Sequence, residues 1–505
     1  MNEGLNVFRQ LAPEQIERRL RRCGIEADSD SIARGSRRQD TRDPHAHSHG
    51  QDPASYRQHY LVLIFNLAVL DCQPLGAGAA MGGVLGAGWL GGNGSEGVGG
   101  GGQEVYGSGS GVVGGQGEHG IVGVGTGGLD EYESGGGGTG RQGEYGSSSG
   151  VVGGQEEYGS GGGRDLRGTA GVLRTTAVRA LYSLGLDSGE VELRAMGGRR
   201  YMVTGITPVM PDPAGALPEP YRSASAALAR MLGSEQPGRP GLLMGMDPEF
   251  LLLRESTGRV VPASRYLPMD GVAGCDAGPP GTRGVFPVAE LRPAPRGEPR
   301  ALLAQLMSAA READRLIADR SLRWRAGGMP LRGWALGGHL HFSGVTLCAP
   351  LLRALDNYLA LPLFLLEDIR AAARRPRYGV LGDFRPQPHG GFEYRTLPSF
   401  LVSPVIAKGA VALAHLIVSH YEDLPLRPLD REDLHAAFYS GGKSPLRTAW
   451  PPLEAQLRAL GGYAAAARWI DPLLRAIAEQ QSWDESRDIR GSWVRSAQLQ
   501  PQPPA

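Results

Sequence analysis

The sequence predicts an α+β fold, with a largely antiparallel main sheet that carries a polar catalytic face and packs helices on its other face. Four short segments between residues 241 and 400 place polar side chains at every second position, the spacing of one face of a strand. Between them lie stretches with apolar residues at helical spacing. An apolar strand, a helix and a hairpin pattern nearer the N-terminus predict an additional small α/β module.

The charge of the chain is balanced, with 52 Lys and Arg against 52 Asp and Glu among 505 residues. Composition therefore gives no reason to expect a nucleic-acid partner or a membrane surface. The four cysteines are scattered without metal-type spacing, which is typical of a reduced, cytoplasmic protein. The N-terminus is too charged for a signal peptide, and the most apolar short stretch, residues 61–70, is too short to cross a bilayer. We expect a cytoplasmic protein.

The first part of the chain contains a short basic helix and then a polar stretch with the sequence HAHSHG. Its alternating histidines could bind a metal, but no carboxylate or cysteine stands nearby, and a solvated loop is the simpler interpretation. Residues 60–70 are predicted to form one strand, residues 169–186 a helix, and residues 190–206 a hairpin that turns at Gly197 and Gly198. These three elements form the predicted N-terminal module.

Residues 75–163 are predicted to be a disordered insertion within that module. Half of the 78 glycines fall in this segment, and the near-repeats YGSGSGVVGGQ and YGSSSGVVGGQ mark it as low-complexity sequence. Glycine loses the most backbone entropy on folding, and few apolar side chains here could offset that loss.

The four segments of the main sheet each carry a pair of polar residues at positions i and i+2, which point to the same face of a strand. Alone, each pair could be a solvated strand edge. Together they supply carboxylates, an imidazole and guanidinium groups, which are the groups that bind divalent cations and triphosphate oxygens. The pairs are Asp247 and Glu249 in GMDPEFLLL, Glu290 and Arg292 in VFPVAELRPAP, His339 and His341 in GWALGGHLHFSG, and Glu393 and Arg395 in GFEYRTLPSF.

Two predicted helices would cover the apolar face of this sheet. The first begins at Pro299, a good first-turn residue, and the second spans residues 350–373 with a kink at Pro362. Between the third and fourth strands lies the basic segment RRPRYGVLGDFRPQPHG, whose arginines are Arg374, Arg375, Arg377 and Arg385. This segment could be a surface loop, or it could clamp a transferring phosphate.

The ordered set GMDPEF, AELRP, GGHLHF and RYGVLGDFRPQPHGGFEYRTLPS resembles the phage-type amidoligase family, type 2. That family lies within the glutamine synthetase/glutamate–cysteine ligase superfamily of carboxylate–amine ligases. The resemblance covers residues 241–424 and implies a glutamine synthetase-like catalytic domain. It also implies an ATP-dependent ligase in which two Mg²⁺ ions, or Mn²⁺, hold ATP. A substrate carboxylate then forms an acyl phosphate, and an amine displaces the phosphate to give an amide.

The resemblance also implies roles for the residues that match its motifs. The first acidic pair is usually Glu-x-Glu, so Asp247 is a departure from the family pattern. We expect small-molecule or peptide carboxylates and amines as substrates, and no nucleic-acid or membrane partner. The expected metal ligands are Asp247, Glu249, Glu290, His339 and Glu393; the nucleotide contacts are His341, Arg377, Arg385 and Arg292; and the catalytic phosphate contacts are Arg395, Arg385 and Arg377.

Two alternatives to a ligase remain open at this stage. A two-metal phosphoesterase would use the same carboxylates and arginines without an amine acceptor. A ligase fold retained for binding or scaffolding would need no turnover. The predicted organisation is a basic helix and polar stretch at 1–55, the N-terminal module at 56–74 and 164–210, the glycine-rich insertion at 75–163, a proline-rich linker with a short helix at 211–240, the catalytic domain at 241–425, and a helical part with a disordered tail at 426–505.

Overall fold

The computed structural model describes residues 2, 4–38, 58–75, 162–282, 284–388 and 390–495. The HAHSHG histidines and residues 76–161 of the predicted insertion lie outside the described residues. The strands are β1 Glu26–Ala27, β2 His59–Phe65, β3 Ala68–Leu75, β4 Ser188–Gly197, β5 Arg200–Pro208, β6 Leu243–Arg254, β7 Arg259–Val261, β8 Ala273–Asp276, β9 Val288–Leu291, β10 Leu322–Arg325, β11 Gly338–Ser343, β12 Phe384–Pro386 and β13 Phe392–Tyr394. The α-helices are α1 Leu5–Gln10, α2 Pro13–Arg22, α3 Ser29–Arg38, α4 Gly162–Ser183, α5 Tyr221–Gly233, α6 Pro299–Leu316, α7 Ala349–Leu355, α8 Leu361–Leu366, α9 Pro404–His420, α10 Glu432–Ser440, α11 Lys443–Ala459, α12 Tyr463–Ala478 and α13 Arg490–Arg495.

The N-terminal module is a sheet in the order β1-β5-β4-β2-β3, with α2, α3 and α4 packed against it. It therefore extends beyond the predicted bounds of 56–74 and 164–210 and includes residues 13–38. The predicted hairpin of β4 and β5 is present, but the prediction of one strand over residues 60–70 is wrong. The chain turns at Asn66 and Leu67, which have φ angles of 45° and 69°, and returns as β3. No glycine or proline marks this turn, and the apolar run continues on both sides of it. Its local signal is Asn66, a residue type that tolerates a positive φ.

The main sheet has the strand order β12-β13-β11-β6-β9-β8, and every pairing in it is antiparallel. Strand β6 is long enough to pair with β11 through its first half and with β7, β9 and β10 further along. The four segments that carry the predicted polar pairs are therefore neighbours, in the order β13, β11, β6 and β9. This confirms the predicted α+β fold with a largely antiparallel sheet.

The apolar face of the main sheet is buried under helices. Met246, Phe250, Leu340, Phe342 and Tyr394 are each at most 3% exposed and belong to one continuous hydrophobic core. Helix α6 contacts β6, β8 and β9 from this side, as its apolar periodicity predicts.

The second predicted helix differs from the prediction in its shape and its end. Helices α7 and α8 are joined by a π-helical turn at Asp356–Ala360, directly before the helical turn that contains Pro362. Proline has no backbone N–H to donate, and the wider π turn takes the place of a sharp kink. The helix ends at Leu366, and a separate 3-10 turn covers Ile369–Arg374.

Two helices in the described part of the chain are long and apolar enough to cross a bilayer. They span Ala349–Leu366 and Pro404–Asp423, and the protein itself buries 94% and 72% of them. Burial of this extent is typical of central helices in a folded core, whose apolar side chains face other helices and the sheet.

The segment after α12 packs beneath the main sheet. Glu485 is 1% exposed, and its carboxylate accepts hydrogen bonds from the backbone N–H of Gly328 at 2.5 Å and of Met329 at 2.7 Å, and from Trp483 Nε1 at 3.1 Å. Leu336, directly before the Gly-Gly of β11, donates its N–H to the carbonyl of Gly328 at 3.0 Å. The C-terminal segment therefore supports the entrance to β11.

We predict that replacing Glu485 with Ala lowers the free energy of unfolding by about 2–4 kcal/mol, because two buried backbone N–H groups lose their acceptor. Chemical denaturation monitored by circular dichroism measures the difference. Glu479→Ala, an exposed substitution close to this segment, is the matched control and should change stability by less than about 0.5 kcal/mol. Equal stability of the wild-type and Glu485→Ala proteins would contradict a supporting role for this segment.

Candidate active site

The antiparallel register brings the predicted polar residues into adjacent rows on one face of the main sheet. His339 of β11 pairs with Asp247 of β6, and His341 lies between Gly245 and Glu393 of β13. Arg385 of β12 pairs with Glu393 from the other side. Two residues of β6 and β13 that are far apart in sequence, Asp247 and Glu393, thus flank the same histidine strand.

The centre of the site is formed by Asp247, His339 and Glu393. His339 Nδ1 lies 3.1 Å from Asp247 Oδ1 and 3.3 Å from Glu393 Oε1. His341 Nε2 is 2.9 Å from the other oxygen of Asp247, Oδ2. The side chains of Asp247 and His339 keep 18% and 13% of their surface exposed, whereas Glu393 keeps 2%. The cluster therefore lies at the floor of the polar face.

The charges in the cluster shift the pKa values of Asp247 and His339. Burial alone would raise the pKa of Asp247, but the charge and hydrogen bonds of His339 and His341 outweigh it and hold that pKa well below its ordinary range. Burial alone would lower the pKa of His339, yet the Asp247 carboxylate raises it. A protonated His339 would compensate the negative charge of the cluster, and a bound cation would replace its proton.

Two arginines reach the cluster from the edge of the sheet. Arg385 Nη1 lies 3.1 Å from Glu393 Oε2, and Arg395 Nε lies 3.2 Å from Glu393 Oε1. Their side chains are 33% and 26% exposed, so both guanidinium groups also face solvent. We call Arg385, Glu393 and Arg395 the arginine edge of the site.

The opposite side of the site is acidic and more deeply buried. Glu249 pairs with Glu290 across β6 and β9, and Glu249 Oε2 accepts a hydrogen bond from the Gly337 N–H at 2.7 Å. Burial raises the pKa of Glu249. Burial, with the nearby charge of Asp247, raises the pKa of Glu290 well above its ordinary value, and Arg292 opposes the rise.

Arg292 is held in the wall of this acidic side. It forms an ion pair with Glu290 and donates hydrogen bonds to the carbonyl oxygens of Met269 at 2.9 Å and Cys275 at 3.3 Å. These contacts use much of its hydrogen-bonding capacity, so its structural role is clear and its expected nucleotide contact remains a prediction.

Gly337 is required by close packing beside the histidine strand. A Cβ atom at this position would lie 2.3 Å from His339 Nε2, a distance at which the imidazole would have to move. The absence of a side chain therefore relieves crowding around His339.

The basic segment before β12 does not act as one clamp. Arg374 and Arg375 are buried: Arg374 donates to the carbonyl oxygens of Thr396 and Leu397 at 3.0 Å each, and Arg375 pairs with Glu367 at 2.7 Å. The prediction of an all-basic loop that faces a phosphate is therefore wrong for these two residues. Their charges are used inside the protein, because a buried guanidinium needs acceptors.

Arg377 is exposed, and its guanidinium lies 5.5 Å from the centre of the Tyr378 ring. Within the described residues it forms no ion pair with the carboxylates of the sheet. The structure thus brings Arg385 and Arg395 to the site and leaves Arg377 outside the contacts of the cluster. Its expected phosphate contact remains a prediction.

Two polar residues near the site are missing from the sequence prediction. Gln387 donates a hydrogen bond from Nε2 to Glu393 Oε2 at 3.2 Å. Asp276 ends β8, two residues after Gly274, the partner of Glu290, and its charge contributes to the raised pKa values of Glu249 and Glu290. Strand β8 has only four residues, one of them glycine, so periodicity could not reveal it, whereas Gln387 shares the i, i+2 spacing with Arg385.

The donor atoms of the site fit two divalent cations. One group of possible ligands is Asp247, His339 and Glu393, and the second is Glu249, Glu290 and His339; within each group the ligand atoms lie within 4.8 Å of one another. Asp247 Oδ1 is buried 3.1 Å from His339 Nδ1, and among the described residues no well-aligned hydrogen-bond donor reaches it. Carboxylate oxygens with one imidazole are suitable ligands for Mg²⁺ or Mn²⁺.

Comparison with solved structures gives similarity at low identity. A structure described as a novel glutamine synthase homolog is 16% identical, covers 56% of this chain and 80% of its own, and has a TM-score of 0.23. A ligand-free GmaS is 14% identical, with coverage of 61% and 83% and a TM-score of 0.25. A GmaS/ADP complex is 13% identical, with coverage of 54% and 81% and a TM-score of 0.21. No curated protein gives a significant match.

The match to a protein family covers the whole polar face. Residues 244–494 match the model of the phage phiEco32-like COOH.NH2 ligase-type 2 family. The match begins in β6, includes all four motif strands, and continues past residue 425 through helices α10 to α13. Through residues 244–494, the chain belongs to the phage phiEco32-like COOH.NH2 ligase-type 2 family of carboxylate–amine ligases.

Proposed function

We propose that the protein is an ATP-dependent carboxylate–amine ligase that uses two Mg²⁺ ions, with Mn²⁺ as a substitute, and forms an amide through an acyl phosphate. For a chain of this family, the strongest support for the proposal is the arrangement of the metal-ligating side chains and arginines. Two groups of metal-ligating side chains share His339 and lie beside Arg385 and Arg395 on one face of the sheet. This arrangement combines the groups that neutralise a triphosphate with groups that can contact a transferring phosphoryl group.

The two ligand groups support the expected metal ligands. Asp247, His339 and Glu393 would hold one cation, and Glu249 and Glu290 would hold the other. A neutral imidazole has one free lone pair, so His339 would ligate one of the two cations at a time. Bound divalent cations would neutralise triphosphate oxygens and polarise the bond to the transferring phosphorus. His341 belongs to neither group and is 31% exposed, which supports its assignment as a nucleotide contact rather than a metal ligand.

Arg385 and Arg395 of the arginine edge would contact the phosphoryl group while it is transferred. A guanidinium presents several N–H donors in a planar arrangement, which suits phosphate oxygens better than an ammonium group does. Arg385 and Arg395 share the carboxylate of Glu393, so that carboxylate holds both side chains in place and would also serve as a metal ligand. Arg385 and Arg395 are therefore the proposed catalytic residues.

The proposed reaction has two balanced steps. An oxygen of the substrate carboxylate attacks the γ-phosphorus of ATP, and the bond to the bridging oxygen breaks to release ADP. The nitrogen of the amine then attacks the acyl carbon, a proton leaves the nitrogen, and inorganic phosphate is released. The substrates that we propose are a small-molecule or peptide carboxylate and an amine.

A two-metal phosphoesterase would bind the same cations but would hydrolyse phosphate esters without an amine. A binding or scaffolding protein would bind ligand without turnover. Release of phosphate from ATP, measured against pools of carboxylates with and without pools of amines, distinguishes the three functions. Phosphate release from ATP that requires both pools would support the ligase.

We predict that Asp247→Asn and Glu393→Gln each weaken Mn²⁺ binding by about 100-fold or more, because each removes a charged ligand without changing its shape. Isothermal titration calorimetry with Mn²⁺ measures the affinity. Glu255→Gln is the matched control, since Glu255 follows β6 directly and pairs with Arg323 and Arg325 away from the site. Wild-type affinity in the Asp247 and Glu393 variants would show that the metals have been assigned to the wrong residues.

We also predict that Arg395→Lys retains nucleotide binding but lowers turnover by about 100-fold, since lysine keeps the charge and loses the planar set of donors. Glu249→Gln should instead abolish metal-dependent nucleotide binding. Calorimetry with a non-hydrolysable ATP analogue and Mg²⁺, together with the phosphate-release assay, separates the two effects. Failure of the wild-type protein to bind the analogue across a wide range of candidate substrates would refute the ligase.

A further inference from the structure

Helix α4 of the N-terminal module contacts the loop that leads into β12, beside the arginine edge. Tyr182, in the last turn of α4, is 6% exposed and donates its hydroxyl hydrogen to Asp356 Oδ2 at 2.7 Å. Its ring fills the space next to Gly382, where a Cβ atom would lie 2.1 Å from Tyr182 Cε1 and where φ is +67°. Gly382 lies three residues before Arg385, so the helix touches the segment that leads into β12.

Asp356 connects this helix to strand β13. Its carboxylate is 3% exposed and accepts three hydrogen bonds: from Tyr182, from the hydroxyl of Tyr394 at 2.6 Å, and from the N–H of Gly382 at 3.0 Å. Burial raises the pKa of Asp356 to about 6, and the three donors oppose the rise. One buried acceptor thus joins the N-terminal module, the loop before β12, and β13.

Tyr394 transmits this contact to the site. It lies between Glu393 and Arg395, and successive side chains of a strand point to opposite faces. Tyr394 is fully buried on the apolar face, while Glu393 and Arg395 meet on the polar face. The hydrogen bond that holds the Tyr394 hydroxyl on the apolar face therefore also restricts the backbone that carries Glu393 and Arg395.

Further contacts join the module to the same region. Arg179 of α4 forms an ion pair of 3.4 Å with Asp383, and the Asp383 carbonyl accepts the N–H of Arg395 at 2.8 Å. Arg353, one turn before Asp356, pairs with Asp187 of the module at 3.2 Å, and its guanidinium lies 4.5 Å from the centre of the Tyr182 ring. The module is attached at this place by several buried or half-buried polar contacts.

We infer that Tyr182, Asp356 and Tyr394 are positioning residues through which the N-terminal module holds the arginine edge in its working geometry. Tyr182 belongs to the module, which lies outside the residues that match the family, whereas Asp356 and Tyr394 lie within them. The part of the inference that concerns metal affinity rests on the proposed function. The part that concerns how firmly the backbone of residues 380–396 is held does not rest on the proposed function.

The test uses the full-length chain and the substitutions Tyr182→Phe, Asp356→Asn and Tyr394→Phe. The control is Tyr358→Phe: Tyr358 is fully buried two residues after Asp356, but its hydroxyl contacts Gln456 and accepts the Leu426 N–H at 2.9 Å, away from the site. The two tyrosine variants remove only a hydroxyl, and they keep the test decisive if Asp356→Asn does not fold.

Amide hydrogen exchange of residues 380–396 should become about tenfold faster in the three variants and should stay at the wild-type rate in Tyr358→Phe. This difference should remain even if the melting temperatures of the three variants and of the control fall by the same amount. Mn²⁺ affinity should fall about tenfold in the same three variants and remain unchanged in the control.

Unchanged exchange of residues 380–396 in Tyr394→Phe and Asp356→Asn would overturn the inference. Unchanged exchange in Tyr182→Phe alone would overturn the role of the N-terminal module. If the wild-type protein binds no Mn²⁺, the proposed function fails, and the exchange rates still decide whether these residues position the strand.

Discussion

The concentration of carboxylates on one face of a half-buried sheet is the constraint on which the site depends. Asp247, Glu249, Glu290 and Glu393 approach one another across three neighbouring pairings of strands. Like charges at such distances repel strongly when water is partly excluded, so the protein must supply compensating charge. His339 provides it at the centre, in contact with Asp247 and Glu393.

This compensation is incomplete on the acidic side of the site. The pKa values of Glu249 and Glu290 are raised, which means that their ionised forms are disfavoured without a cation. Ionising Glu249 and Glu290 costs free energy in the empty site, and a bound divalent cation offsets that cost. On the opposite side, Arg385 and Arg395 face solvent where the phosphate oxygens of the proposed reaction would arrive. Arg292, by contrast, is held by Glu290 in the wall of the acidic side.

The support of the site comes from outside the main sheet. Glu485 of the C-terminal segment fixes the backbone before β11, and Asp356 fixes β13 from beneath. Both are buried carboxylates that accept hydrogen bonds from several donors rather than ion pairs with a cation. Such acceptors specify one backbone arrangement, because any other arrangement leaves buried donors unsatisfied. The geometry of the polar face is thus set by two elements distant from it in sequence.

The sequence alone predicts the four strands that carry the site, because alternation of polar and apolar residues survives as a local signal. It also predicts that Glu249 and Glu393 share one sheet. It could not reveal β8 and Asp276, since a four-residue strand with glycine carries too little periodicity. Nor could it separate Arg374 and Arg375, which are buried, from Arg385, which reaches the site, because burial in an irregular loop depends on tertiary contacts.

The central claim is that one sheet face holds two cations around His339. Anomalous diffraction from crystals grown with Mn²⁺ and a non-hydrolysable ATP analogue tests it most directly. The account predicts two manganese peaks, one between Asp247 and Glu393 and one between Glu249 and Glu290, with His339 in contact with at least one of them. Ordered nucleotide without manganese at either group, or manganese bound only elsewhere on the protein, would contradict the account.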